Sequence, residues 1–202
     1  MITRIFSILF ILVIFFTQLI AQNDAKTLLK NIQDKFNTIT ELSAIISQSI
    51  NGKENLSGRV YYKKENHLRF EFKNILIISD GETSWNYNEK QNKVIITDYE
   101  NEGNKILSIR HMIYEYPEDC DLDTYELEGK RILQLIPKNN NFSFNSIKLF
   151  IDEDNLISKA IIEDPATGIV QVVLSEYQIN KDLPDSYFSF SPPEGSQVID
   201  LR

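Results

Sequence analysis

Apolar and polar residues recur along this chain with two different spacings, which predict two helices and a series of strands. Between Asp24 and Ile39 the apolar side chains return every three or four residues, as on the buried face of a helix. The segment from Asn104 to Tyr116 has the same spacing, and its apolar stripe consists of Ile106, Ile109, Met112, Ile113 and Tyr116. The spacing therefore predicts one amphipathic helix ahead of the strands and a second one between them.

Elsewhere in the chain the spacing is two, which is typical of strands with one buried face. Leu68, Phe70 and Phe72 share one face of such a segment, whereas His67, Arg69 and Glu71 share the other. Sequences such as Asn51-Gly52, which favour tight turns, separate the alternating segments. The pattern predicts about ten short antiparallel strands in hairpin order, with a last short strand from Tyr187 to Phe190.

No linker, shift of composition or internal repeat divides this pattern, so we expect a single domain. A long antiparallel sheet curls, and helices must cover its concave face for that face to be buried. Such a sheet can enclose either a packed core or an apolar cavity, and the spacing alone leaves both open.

The first 21 residues have the composition of a cleavable secretory signal peptide. A short positive start ending at Arg4 precedes an apolar run, Ile5–Phe16, in which Ser7 is the only polar residue, and Ala21 supplies a small residue for cleavage. The alternative is an uncleaved membrane anchor, but the run is shorter than the roughly 20 residues that span a bilayer. We therefore expect a signal peptide at 1–21 and a mature domain at 22–202.

The charge balance argues against a nucleic-acid-binding protein. Lys and Arg number 21 against 29 Asp and Glu, a formal net charge of -8 that becomes -9 when residues 1–21, with Arg4, are removed. A nucleic-acid binder needs a basic surface to displace counterions from phosphates. The chain also has no glycine-rich nucleotide motif, so we expect no cofactor.

Few residues are available for catalysis or metal binding. His67 is expected on the polar face of a strand and His111 on a helix surface, and neither has an evident nucleophile beside it. Cys120 lies among acidic residues, which are expected to raise the pKa of its thiol. With one cysteine and two histidines, and with acidic groups that lack calcium-loop spacing, we expect neither a metal site nor an enzyme.

Three segments of the chain carry a resemblance to a known family. They are Gly58-Arg-Val-Tyr-Tyr through Phe72, then Ser79-Asp-Gly-Glu-Thr-Ser-Trp85-Asn-Tyr87, and finally Phe188-Ser-Phe-Ser-Pro-Pro-Glu-Gly195. Together, in this order over the whole mature length, they resemble the outer-membrane lipoprotein carrier (LolA) family.

The resemblance implies a mainly β fold, an incomplete antiparallel barrel of about eleven strands with a helical lid over an apolar cavity. It implies a monomeric periplasmic carrier that binds the acyl chains of lipoproteins. Such a carrier takes them from an inner-membrane ABC transporter and delivers them to an outer-membrane receptor or to the outer membrane itself.

The resemblance also suggests which residues form the site. The expected cavity lining consists of two groups, strand residues Leu68, Phe70, Phe72, Ile77, Trp85 and Tyr87 and lid residues Ile106, Ile109, Met112 and Ile113. In the family an arginine after the second strand hydrogen-bonds to lid-helix carbonyls and latches the lid. Lys64 stands at that position here, so the latch is expected to be Lys64, or to be replaced by Arg69 or Arg110. Lys64 as an ordinary strand-end lysine is the alternative.

A second function is compatible with the same resemblance. An envelope-stress or lipid sensor on this fold would regulate an inner-membrane signalling protein instead of carrying cargo. Such sensors usually have a further domain, and the continuous strand pattern leaves no room for one within these residues, so the carrier is the favoured interpretation.

Overall fold

The computed structural model describes residues 24–99 and 109–202. Helix α1 covers residues 24–37, and helix α2 is described from residue 109 and continues as a π-helical turn at His111–Glu115. Short 3₁₀ turns follow at Tyr116–Asp119 and Asp185–Phe188. The strands are β1 (Glu41–Ile50), β2 (Lys53–Lys63), β3 (His67–Phe72), β4 (Ile75–Asp80), β5 (Thr83–Asn88), β6 (Lys93–Asp98), β7 (Cys120–Leu127), β8 (Lys130–Pro137), β9 (Ser146–Ile151), β10 (Ile157–Asp164), β11 (Gly168–Ile179) and β12 (Gln197–Asp200).

All the described strands belong to one sheet, in the order β12-β6-β5-β4-β3-β2-β1-β11-β10-β9-β8-β7. Neighbours are antiparallel except β12 and β6, which are parallel. The edge strands are β12 and β7, so the sheet curls without closing. The expected fold class, an unclosed barrel with helices, is therefore confirmed, with twelve described strands where about eleven were expected.

The face of the sheet that looks toward the helices is called the inner face here. On it, buried aliphatic side chains pack against the apolar stripe of α1 in one core. Strands β8 to β10 carry the most completely buried members, at 0% exposure: Leu133, Leu135, Ile147, Leu149 and Ile162. Burial of this stripe, at about 25 cal/mol per Å² of apolar surface, is what holds α1 on the sheet.

The opposite, outer face has a smaller buried cluster near β4 and β6. Ile78, Val94 and Ile96 are buried there, and the turn Asp185–Phe188 lies against β3 and β4 with Phe188 2% exposed. The strand predicted from Tyr187 to Phe190 is therefore wrong. Residues 185–188 form a 3₁₀ turn that covers the outer face over β3 and β4. Their apolar side chains pack on the side chains of that face, so the backbone does not pair with a strand there.

The start of one strand and the presence of another also differ from the sequence pattern. Strand β9 begins at Ser146 and not at Phe142, because Phe142 and Phe144 pack their rings on each other with 5.1 Å between centroids. Strand β12 was not predicted, since four residues, Gln197–Asp200, are too short for a recognisable alternation.

In residues 24–99 and 109–202, no helix has the length and apolar character needed to cross a membrane.

Candidate functional site

A cavity of about 610 Å³ lies between the inner face of the sheet and the two helices. Phe36 of α1 and five residues of α2 face it from one side, and strands β1 to β4, β10 and β11 form the other side. Most lining side chains are apolar: Phe36, Leu42, Ile46, Leu56, Val60, Leu68, Phe70, Phe72, Ile77, Ile109, Met112, Ile157, Ala160, Val172 and Leu174. The volume lies within the range of small-molecule sites, and these walls favour a hydrocarbon ligand.

Six of the predicted lining residues contact this cavity. They are Leu68, Phe70, Phe72, Ile77, Ile109 and Met112. The strand members meet across the sheet because Phe70 pairs with Val60 on one side and with Ile77 on the other. The rings of Phe70 and Phe72 are stacked, with centroids 6.1 Å apart. The alternation of β3 therefore identified this part of the wall.

Trp85 and Tyr87 do not line the cavity, contrary to the expectation. Asn86, which lies between them, is paired with Ile77, so the two aromatic residues are on the outer face. There the ring of Tyr87 lies 5.8 Å from that of Phe190. The segment 185–190 covers this face, and the alternation within β5 does not indicate which of its two faces is covered.

Of the other predicted lid residues, Ile113 is fully buried and does not line the cavity. It lies one position beyond Met112 on α2 and packs toward Ile32, Ile39 and Leu42, because consecutive helical residues point in different directions. Ile106 lies outside the described residues.

Lys64 reaches the helical layer from the turn between β2 and β3. Its Nζ donates a hydrogen bond of 3.0 Å to the carbonyl oxygen of Asn37, the last residue of α1. A cation at a helix C-terminus also interacts favourably with the helix dipole. Arg69 is on the outer face, where it bonds to Glu71 and to the carbonyl oxygen of Tyr187. It therefore cannot replace Lys64 as a contact to the helices.

Several lining residues were not predicted. Small and aliphatic side chains of β1, β10 and β11 share the wall, among them Leu42, Ala160 and Val172. Their alternation marks them as inward-facing, but nothing local distinguishes a cavity wall from a packed core. The polar lining was missed as well, and it comprises Tyr62, Asn66, Tyr99, Arg110, His111 and Glu115.

Helix α2 is attached to α1 partly through Tyr114. Its hydroxyl donates to the side-chain oxygen of Asn37 at 2.7 Å, and the carbonyl oxygen of Gln33 lies 3.3 Å from the same hydroxyl. Asn37 thus receives hydrogen bonds from both Tyr114 and Lys64. These polar contacts complement the apolar packing of Met112 and Ile113 beneath α2.

The two histidines and the cysteine singled out in the sequence each lie close to other groups of the protein. The Nδ1 of His67 lies 3.0 Å from the carbonyl oxygen of Lys64, and the Nε2 of His111 lies 3.3 Å from Glu115. Cys120 is buried at the start of β7, and burial, more than its acidic neighbours, raises the pKa of its thiol to about 11. Within the described ranges, no group of three His, Cys, Asp or Glu residues could hold a metal ion.

Comparison with known proteins identifies the family. Residues 37–191 match the family described as outer membrane lipoprotein carrier protein LolA. This chain belongs to the LolA family. The match begins at the end of α1 and includes all the strands that surround the cavity, so it covers the described cavity lining except Phe36.

Related proteins extend the comparison. An uncharacterized protein of Methanocaldococcus jannaschii is 26% identical over 96% of this chain, which spans 59% of that relative's length. An outer-membrane lipoprotein carrier protein of Legionella pneumophila is 28% identical, over 97% of this chain and 98% of its own. A solved structure of a conserved Thermus thermophilus protein superposes with a TM-score of 0.60 at 17% identity, covering 88% of this chain and 99% of the other. That likeness concerns the fold.

Proposed function

We propose that this LolA-family chain is a periplasmic carrier that holds the acyl chains of lipoproteins in its cavity. The proposal rests above all on the apolar cavity of about 610 Å³ under α2. In this proposal residues 1–21 direct export and are removed, and the mature chain is a monomer that performs no covalent chemistry. An inner-membrane ABC transporter supplies the lipoproteins, and an outer-membrane receptor or the outer membrane receives them.

The energetics of an acyl chain explain why such a carrier needs this cavity. Each methylene group transferred out of water contributes about 0.8 kcal/mol, so a 16-carbon chain gains roughly 12 kcal/mol from complete burial. A carrier that bound with all of this energy would release its cargo too slowly. Part of this binding energy is offset if the acyl chain must displace side chains that fill the empty cavity. The energy of that displacement comes from the difference in affinity of lipid for the open and the closed state.

Helix α2 is the element that we assign to this role. Ile109 and Met112 face the cavity, and Met112 is 3% exposed because it packs beneath the helix. Methionine is flexible and repacks readily around ligands of different shape. When acyl chains enter, α2 moves away from the sheet and these side chains exchange contacts with the sheet for contacts with lipid. Lys64 holds the end of α1 through the carbonyl oxygen of Asn37, and Tyr114 of α2 donates to the side chain of the same Asn37, so these two bonds together form the latch of the closed state.

The experiment that tests this function combines two measurements. Protein purified from membranes is analysed by native mass spectrometry for bound lipid or lipoprotein, and the protein is added to spheroplasts to measure lipoprotein release. We expect bound acylated molecules and release into the supernatant. The carrier function fails if nothing co-purifies and nothing is released.

The alternation of β10 supplies a matched pair of variants for the same experiment. Ala160 lines the cavity and is 5% exposed, whereas the adjacent Ile161 lies on the outer face. Ala160→Phe places a ring in the cavity and is expected to reduce bound lipid, while Ile161→Phe places the same ring on the outer face and is expected to have no such effect. Equal loss in both variants would mean that the cavity is not where the cargo binds.

A further inference from the structure

Part of the cavity lining is polar, and α2 contributes Arg110, His111 and Glu115 to it. Arg110 of α2 is solvent-exposed yet lines the cavity, together with Tyr62 of β2. The guanidinium carbon of Arg110 lies 5.6 Å from the ring centroid of Tyr114, so the charge is held over an aromatic face at the cavity mouth. A cation therefore stands in a lining whose side chains are mostly apolar.

The charge of Arg110 is not neutralised by an ion pair with any carboxylate in residues 24–99 and 109–202. Glu115 also lines the cavity, but its carboxylate lies 3.3 Å from the Nε2 of His111. An anion that reached the cavity mouth would therefore meet the Arg110 guanidinium with its donors available. The neighbouring carboxylate of Glu115 is in contact with His111.

Tyr62 supplies a second donor in this polar part of the lining. Its ring packs on Phe36, with 5.5 Å between centroids, and its hydroxyl forms no hydrogen bond with the described part of the chain. Burial raises the pKa of this hydroxyl, and the nearby Arg110 acts in the opposite direction. The hydroxyl therefore remains a neutral donor within the electrostatic reach of the guanidinium.

We propose that Arg110 and Tyr62 form a subsite for the anionic oxygen head group of an acyl lipid whose hydrocarbon occupies the cavity. A guanidinium offers a planar set of donors that matches a carboxylate or a phosphate, and hydrogen bonds to charged groups are roughly twice as strong as neutral ones. The subsite rests on the proposed function, because it assumes that acyl chains enter the cavity. It adds a preference, since lipids with an anionic head would bind more tightly than neutral ones.

The test compares matched ligands by displacement of a neutral fluorescent acyl probe from the full protein. One pair is hexadecanoate and its methyl ester, and the other is 1-hexadecanoylglycerol 3-phosphate and 1-hexadecanoylglycerol. At mildly alkaline pH, where both acids are ionised, we expect at least one anion to bind about ten-fold more tightly than its neutral partner. Preference in the first pair alone identifies a carboxylate site, and preference in the second alone a phosphate site.

Variants assign the preference to these residues. Arg110→Gln is expected to abolish it, Tyr62→Phe to reduce it, and Arg110→Lys to retain part of it, each measured as the ratio of anionic to neutral affinity in the same variant. The control is Arg59→Gln, which removes the same charge from an exposed position outside the cavity lining. Circular dichroism of each variant confirms folding, and the comparison of ligands on the unmodified protein requires no variant at all.

The outcomes separate the two proposals. If the neutral probe binds but acids and neutral partners bind equally, the subsite is wrong and Arg110 is a solvated surface residue, while the carrier function stands. The same holds if Arg59→Gln lowers the preference as much as Arg110→Gln does. If neither the probe nor any lipid binds, the carrier function fails and the subsite fails with it.

Discussion

The Nε2 of Gln33 donates a hydrogen bond of 2.6 Å to the carbonyl oxygen of Ile113. Gln33 lies on α1, and Ile113 lies in the π-helical turn of α2. A short helix has several carbonyl groups near its end without an intrahelical partner, and Gln33 supplies one such partner from the neighbouring helix. Opening α2 alone therefore requires loss of this bond, whereas α1 and α2 can move together without breaking it.

Gln33→Leu is expected to loosen α2 while leaving the fold intact. The variant keeps the bulk of the side chain but leaves the Ile113 carbonyl without its donor, at a cost of about 1 kcal/mol. Faster hydrogen exchange of the His111–Glu115 amides and faster exchange of bound lipid would both follow. Lys30→Gln is the control, because Lys30 pairs only with Asp34 on the exposed side of α1. Exchange rates as slow in Gln33→Leu as in the control would contradict this role.

Lys64→Met should weaken the latch. The variant removes the donor to the Asn37 carbonyl and the favourable charge at the end of α1, so lipid dissociation should accelerate several-fold, which corresponds to about 1 kcal/mol. Lys64→Arg should slow dissociation or leave it unchanged, because the guanidinium has more donors. The matched control is Lys73→Met, at an exposed position in the β3–β4 turn. Similar dissociation rates in all three variants would make Lys64 an ordinary surface lysine.

Phe70→Asp should abolish lipid uptake in a protein that still folds. Phe70 lines the cavity and is partly exposed, so the carboxylate can remain hydrated while it makes the wall unsuitable for hydrocarbon. Trp85→Leu, on the outer face, should retain uptake. Binding of a fluorescent fatty acid measures both. Loss of uptake in Trp85→Leu but not in Phe70→Asp would place the site on the other face of the sheet.

These residues also show what the sequence can and cannot predict. In β3 the contrast between Leu68, Phe70 and Phe72 and their charged neighbours makes the buried face clear, and the structure has that face toward the cavity. In β5 the same contrast selects Trp85, yet its face points outward. Alternation separates two faces, but long-range contacts decide which of them is inside. Here the deciding contact is with residues about one hundred positions later.

The spacing alone could not predict the cavity, for a similar reason, and only the family resemblance implied it. Ala160 and Leu133 have the same inward alternation and belong to the same core, but Ala160 also lines the cavity and Leu133 does not. The difference depends on how far the sheet curls and how deeply α2 inserts. Neither quantity is encoded in the local pattern, whereas helix α1, most strands and the Asn51-Gly52 turn depend on local sequence and were predicted.

Gly58→Ala is expected to destabilise the protein. A Cβ at this position would lie 1.9 Å from the carbonyl oxygen of Glu71 on the adjacent strand, so the β2–β3 pairing would have to shift. Overpacking of this kind costs about 1–3 kcal/mol, and thermal unfolding monitored by circular dichroism would show it. The neighbouring Ser57→Ala, on the exposed outer face, is the control. A Gly58→Ala protein as stable as Ser57→Ala would show that the sheet accommodates the methyl group.

Cys120 should make stability depend on pH in the alkaline range. Burial raises the pKa of its thiol from 9.0 to about 11, so between these values the unfolded chain loses the thiol proton while the folded protein retains it. The free energy of unfolding is therefore unaffected by this group below pH 9 and decreases as the pH rises toward 11. Urea denaturation of the protein and of Cys120→Ala across this range isolates the contribution of the thiol, because tyrosine titration is common to both.

In addition, iodoacetamide should modify Cys120 readily only after unfolding, since the folded side chain is 3% exposed. Parallel pH profiles for the two proteins, together with rapid alkylation of the folded protein, would show that the thiol is accessible and titrates normally.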